Sequence, residues 1–351
     1  MVVKAALANN TRVFSPVTLS QEWPTLGRLI FMVLCATLGT IINGFFVAAF
    51  FVERTLKRVG NVYLACVGLS DLIITGIVMP VSAVVLLSGE WDTIPVCKGL
   101  QFLTETSTYC YSLFFTLVAA ETYYRLCRTT TEYEMFLSLH VGVVSCLVVF
   151  FSAIISAVGV FMKLDYDYCE RHYTGSFLFR ATTLGLLHAL PFFMTMYGLF
   201  SSAFCISRRA RIQNHYRRSQ QYDRDCSTTN LNIVAYLLYV VAWIPYLVVV
   251  HEYSDSSDSR YYHAVWIGMM RSVTTSLLYS GINSNFRRAF AHLFYYCCCK
   301  SSLTDTFASR HRRALEYKPA TGDVRVHIMH QAVSMCSPQR TSYATRETQE
   351  L

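Results

Sequence analysis

Three ionisable residues stand inside long apolar runs: Asp71 in ACVGLSDLIITGIV, Glu105 in GLQFLTETSTYCYSLFF and Arg271 in VWIGMMRSVTTSLLY. A charge in hydrocarbon is costly, so each of these needs a partner and marks a functional position. Catalysis has no comparable foothold. There is no His/Cys/Asp set at metal-ligand or nucleophile spacing, no glycine-rich phosphate loop, and no histidine pair suited to an active site within a membrane. The chain reads as no enzyme, with no metal and no cofactor. Its 13 cysteines scatter, and Cys35, Cys66, Cys110, Cys146 and Cys205 lie inside apolar runs, where cysteine acts as a small hydrophobe.

The elements that must position these charges are membrane helices. Of 351 residues, 53% are hydrophobic and 15% charged, where a soluble domain carries about 25% charge. The net charge of +8 sits in short basic blocks between apolar runs. That pattern fits loops beside an anionic leaflet and excludes nucleic acid as a partner. Seven apolar stretches, 26–52, 60–87, 98–124, 137–161, 177–206, 229–250 and 262–283, are each long enough to cross a bilayer. Arginine and lysine cluster after the first, third, fifth and seventh; the opposite linkers carry Glu90, Asp92, Asp165, Asp167, Glu170, Asp255 and Asp258. The positive-inside bias predicts an outside N-terminus and an inside C-terminus.

The expected fold is an all-α membrane protein, a seven-transmembrane helix bundle with a short amphipathic interfacial helix. Its predicted parts are an extracellular N-terminus over 1–25, the bundle over 26–284, the amphipathic helix over 285–299 and a disordered cytoplasmic tail over 300–351. Asn9 begins an Asn-Asn-Thr glycosylation triplet. Cys97 and Cys169 both fall outside on this topology and are expected to form a disulfide. Phe286, Phe290, Leu293 and Phe294 recur at helical spacing, and Cys297, Cys298 and Cys299 close that helix as palmitoylation sites.

In this order the landmarks resemble a rhodopsin-like (class A) G-protein-coupled receptor. Asn43 resembles the first-helix asparagine of that family, and Asp71 in Gly68-Leu69-Ser70-Asp71-Leu72 resembles the second-helix aspartate. Trp91, Pro191 and Ala242-Trp243-Ile244-Pro245 are similar to the outer-loop tryptophan, the fifth-helix proline and the CWxP motif. Tyr279, with Phe286 after it, is similar to the end of NPxxY and the start of helix eight. Tyr168-Cys169 and Asn283 to Arg288 resemble melatonin-receptor-like members. Three departures stand out. Glu121-Thr122-Tyr123 replaces the Asp/Glu-Arg-Tyr triplet, Thr275-Ser276-Leu277-Leu278-Tyr279 keeps only the tyrosine of its motif, and the fourth span lacks the family tryptophan and proline.

The resemblance implies a cell-surface receptor that transduces an extracellular ligand to a heterotrimeric G protein and to arrestin, in contact with membrane lipids. It places Tyr111 and Arg271 beside Asp71, where the family holds a sodium ion. The expectation is that the Arg271 guanidinium pairs with Asp71 in the sodium's place, with Glu105 as the alternative partner. Glu121, Thr122, Tyr123, Arg125 and Tyr279 fall at the coupling end; Arg125 is expected to project from a different face than the missing arginine. Thr104 stands where amine receptors carry an aspartate, which argues against a biogenic amine. Thr104, Glu105, Thr108, Tyr109, His188, Trp243, Tyr246 and Tyr262 are the candidate ligand pocket, open to a lipid-like or small neutral ligand or to a basic peptide. The alternatives are a non-coupling receptor acting through arrestin or a receptor partner and, in another class, a transporter or channel.

Overall fold

The computed structural model describes residues 25–52, 56, 59–88, 94–138, 140–167, 172–173, 175–251 and 258–298. Asn9, Trp91, Cys169, Cys299 and the tail 300–351 lie outside them, as do the side chains of Tyr262, Cys297 and Cys298. The chain divides into two compact units, Met1–Leu293 and Phe294–Leu351.

The first span is α1 (Thr25–Val52). The second joins α2 (Val59–Ile73), a π-helical turn (Ile74–Val78) and α3 (Met79–Ser88). The third is α4 (Ile94–Cys127), followed by a separate short helix α5 (Thr130–Ser138) and the fourth span α6 (Val141–Phe161). The fifth joins α7 (Phe177–Thr183), a second π-helical turn (Leu184–Ala189) and α8 (Leu190–Ile212). After α9 (Asn214–Arg217) come the sixth span α10 (Gln220–His251), the seventh α11 (Asp258–Ile282) and the interfacial helix α12 (Ser284–Cys298).

Several boundaries differ from expectation, two of them for a visible local reason, and the fifth span runs on to Ile212 rather than 206. The fourth span starts at Val141, because residues 130–138 form their own helix with a capping box. The Thr129 N–H and hydroxyl donate to Glu132 Oε2 at 3.0 and 3.1 Å, and the Glu132 N–H returns to Thr129 Oγ1 at 3.4 Å. The sixth span begins at Gln220 rather than 229, since its first turns are polar and amphipathic and escape an apolar-run criterion. The third span runs on to Cys127. Strand structure among the described residues is the two-residue ladder β1 (Tyr166–Asp167) with β2 (His172–Tyr173), in the loop after the fourth span. The fourth span ends in a Schellman arrangement. Lys163 takes φ 54°, and the Leu164 N–H donates to Gly159 O at 3.0 Å.

Five spans, the first, second, fourth, fifth and sixth, are apolar and long enough to cross a bilayer by composition alone. The third and seventh carry too many polar residues for that criterion, and they carry them inward. Gln101, Thr104, Glu105, Ser107, Thr108, Tyr111 and Ser112 on α4, and Arg271, Ser272, Thr275 and Ser276 on α11, are all buried. The third span packs on the second, fourth and fifth, and more lightly on the sixth. The lipid-facing rows are apolar instead, including Leu38, Val149, Phe193 and Val241, all exposed.

Candidate functional site

The mid-bundle site is built around one cation. Arg271 is 2% exposed. Its Nη1 lies 3.4 Å from Asp71 Oδ1 and its Nη2 donates to Thr108 Oγ1 at 2.9 Å. The Thr108 hydroxyl proton is spent on the Thr104 carbonyl at 2.8 Å, which leaves a lone pair for the guanidinium. Three rings complete the cage: the guanidinium carbon lies 4.8 Å from Trp243, 5.2 Å from Tyr111 and 5.3 Å from Tyr239, distances at which cation–π attraction operates. Tyr111 and Thr275 share a hydrogen bond of 2.7 Å. Gly268 admits Trp243 to this cage, since a Cβ there would stand 3.0 Å from the indole. Below it, Asn43 ties the first span to the seventh through Ser272 O at 2.8 Å and through the Ser276 hydroxyl, and reaches Thr75 at 3.3 Å.

Because Arg271 takes Asp71, Glu105 is left without a basic partner in this cage. It is 7% exposed; Gln101 donates to its Oε1 at 3.0 Å, and its Oε2 accepts no hydrogen bond among the described residues. The other predicted pocket residues divide. Thr104 bonds its own helix at Leu100 O, 2.8 Å away, and Thr108 serves Arg271. Tyr109 meets His188 edge to face at 5.6 Å, and Tyr246 packs on Trp243 at 4.5 Å. His188 and Trp243 also line a cavity of about 360 Å³ between the third, fifth and sixth spans. Among the described residues, Thr104 and Thr108 reach Trp243 through Arg271, and Trp243 joins Tyr246 and, across the cavity, His188 with Tyr109.

At the Glu121 end of the third span, Thr122 is buried and its hydroxyl is returned to Val118 O at 2.8 Å. Arg125, expected to project from a different face than the missing arginine, leans on Glu121 and crosses to the sixth span. Its Nη1 donates to Asp225 Oδ1 at 2.9 Å while its Nε lies 3.4 Å from Glu121 Oε1. The cause is local. Arg125 is one turn from Glu121 on the same helix face, and its long side chain spans the gap that Thr122 cannot. Asp225 was missed because it lies before the apolar part of the sixth span. Two tyrosines brace the carboxylates: Tyr133 donates to Glu121 at 3.0 Å, and Tyr216 to Asp225 Oδ2 at 3.2 Å. Burial, then the Asp225 charge, pushes the Tyr216 hydroxyl up to about 12, so it stays a donor. Gly60 of the second span abuts Glu121; a Cβ there would fall 2.5 Å from Oε2.

Two residues of the predicted coupling set lie elsewhere. Tyr123 turns toward Tyr197, with Arg128 5.4 Å above its ring. Tyr279 donates to Asn232 on the sixth span and packs between Phe46 and Phe286. Cys97, at the opposite end, is disulfide-bonded; Cys169 lies outside the described residues.

The family model described as 7 transmembrane receptor (rhodopsin family) matches residues 42–280. Among curated relatives, human neuropeptide Y receptor type 2 is 21% identical over 281 residues, covering 73% of each chain. The Drosophila melanogaster neuropeptide F receptor is 21% identical over 295 residues, covering 74% of this chain and 60% of that one. Squid rhodopsin shares the fold, with a TM-score of 0.66 at 16% identity, over 82% of this chain and 92% of that one.

Proposed function

The chain belongs to the rhodopsin-like family of seven-transmembrane receptors and is a multi-pass plasma-membrane receptor of the G-protein-coupled class, not an enzyme; we propose that its ligand is a peptide bearing a basic group. The observation that carries this reading is Glu105. A carboxylate at 7% exposure with one oxygen unpartnered is an expensive group to keep unless a cation visits it. The peptide receptors among the relatives support it. In this reading the Cys97 end faces outside and the Glu121 end faces the cytoplasm, where a G protein and arrestin dock.

The Arg125–Asp225 bridge is then the resting-state clamp between the third and sixth spans, in the role left open by Thr122. Its release frees the cytoplasmic ends to separate. The cage around Arg271 does not fit a sodium ion, because a fixed guanidinium already neutralises Asp71 and repels a second cation. The receptor is expected to be insensitive to sodium, and Asp71→Asn to leave that insensitivity unchanged in a sodium titration of thermal stability.

The test is G-protein activation in cells challenged with neuropeptide Y, neuropeptide F and a panel of other basic peptides, at matched surface expression. A peptide response lost in Glu105→Gln supports the reading. A response equal in Glu105→Gln, or responses confined to uncharged ligands, overturns it. Thr122→Arg separates coupling from the rival reading of a non-coupling receptor acting through arrestin or a receptor partner. A silent wild type woken by Thr122→Arg favours the rival; an active wild type favours the Arg125 clamp.

A further inference from the structure

The cavity between the third, fifth and sixth spans has no part in the peptide reading. It lies where the fifth span loosens into the π-helical turn Leu184–Ala189, and the wider turn draws Leu184, His188 and Ala189 back to form one wall. The sixth span forms the facing wall from Tyr236 to Leu247. Two features describe what would fill it. The Trp243 indole N–H belongs to the lining, is 6% exposed by residue, and has no hydrogen-bond partner among the described residues, while the Tyr239 hydroxyl, 4% exposed by residue, stands in the same lining beside Ser112. A buried donor of this kind calls for an acceptor. The lining also includes Leu184, Phe193 and Ile244, all of which are exposed on the lipid-facing surface, so the cavity opens sideways toward the bilayer.

We propose that this cavity is a binding site for a neutral single-chain lipid, entered from the bilayer, whose ester carbonyl or hydroxyl accepts a hydrogen bond from Trp243. The lining argues for a chain: it is apolar apart from Ser112, His188 and the ring donors, and it follows the sixth span from Tyr236 to Leu247, eleven helical steps or about 16 Å. The volume is within the range of small-molecule sites. The charge argues for neutrality. Among the described residues no Asp, Glu, Lys or Arg lines the cavity, and the nearby guanidinium of Arg271 is already paired with Asp71. The occupant would lie against the same Trp243 ring that packs on Arg271, which places it in contact with the mid-bundle cage.

The experiment uses the full chain in nanodiscs and a monoacylglycerol carrying a photoactivatable group and an alkyne. Labelled residues are mapped by mass spectrometry. No agonist or G protein is present, so the outcome does not depend on the peptide reading. The expected result is labelling centred on Phe192, Phe193, Val240 and Ile244, displaced by unlabelled monoacylglycerol and not by cholesterol. It is lost when Ala189→Trp or Val240→Trp fills the space, with folding checked by melting temperature. Trp243→Phe keeps the ring and removes the donor. It is expected to raise half-saturation about three- to tenfold, and it keeps the test decisive if both filled variants misfold. Labelling spread evenly over the lipid-facing rows of the first and fourth spans, or unchanged in Trp243→Phe and any folded filled variant, overturns the proposal. So does displacement by cholesterol alone.

Discussion

Arg271 and Arg125 do the same thing in two environments. Each reaches from one span to an aspartate on another, at 3.4 and 2.9 Å respectively. Around Arg271 the side chains are 2% and 0% exposed, and three aromatic rings exclude water; around Arg125 they are 20% and 7% exposed. The shorter contact is the weaker link, because water and salt reach the Arg125 guanidinium at the edge of the bundle. The longer contact is the harder to break, because neither charge has anywhere else to go. The buried pair is suited to fixing the register of the second, third and seventh spans. The edge pair is suited to opening and closing.

Removing one member of each pair should expose that difference. The largest effect is expected for Arg271→Met, which strands Asp71 in the core and should cost about 3–5 kcal/mol, read as lost surface expression and a lowered melting temperature in detergent. Adding Asp71→Asn should recover most of it, since no uncompensated charge remains. If the double variant is no better than the single, the pair is not what holds the site. Next comes Gly268→Ala, whose new Cβ presses Trp243 off the guanidinium. An overpacking penalty of about 1–3 kcal/mol is expected, measured by the same melting curve, with the tryptophan fluorescence shifting alongside.

Asp225→Asn should cost about 1 kcal/mol or less in stability, because Arg125 keeps Glu121, and Arg125→Ala more than that, because it strands the buried Glu121 and Asp225. In the same variants basal G-protein activation should rise up to about fivefold, which an unliganded activation assay reads directly. Unchanged basal activity in both would remove the clamp from the mechanism.

The smallest effect concerns the short helix α5. The Thr129 N–H and hydroxyl hold Glu132 below the ordinary carboxylate range. A depressed carboxylate contributes stability above its unfolded value, and loses it as pH falls through its folded value. The amide protection of residues 130–138, taken relative to the intrinsic exchange rate at each pH, should therefore fall below about pH 4, and Glu132→Gln should flatten that pH dependence.

The apolar runs made the seven spans legible. Positions in phase with those runs were also legible, such as Phe286 with its neighbours. Legibility stopped where a helix ceased to be apolar. The polar first turns of the sixth span hid Asp225, and the capping box hid the break before Val141. Within the expected ligand set the sequence could not divide the roles: Thr104 and Thr108 share the face that serves Arg271, while Glu105 and Tyr109, one residue on, face Gln101 and His188.

What the sequence determined by itself was the membrane, the number of crossings and which residues had to be satisfied within them. Those follow from transfer free energy, which depends on the composition of each segment and hardly on its neighbours. Only the tertiary structure decided the partners. It gave Arg271 to Asp71 rather than Glu105, carried Arg125 to Asp225, and widened the fifth span into the cavity beside Trp243. A pairing energy depends on distances of a few ångströms between helices, and no single helix contains them.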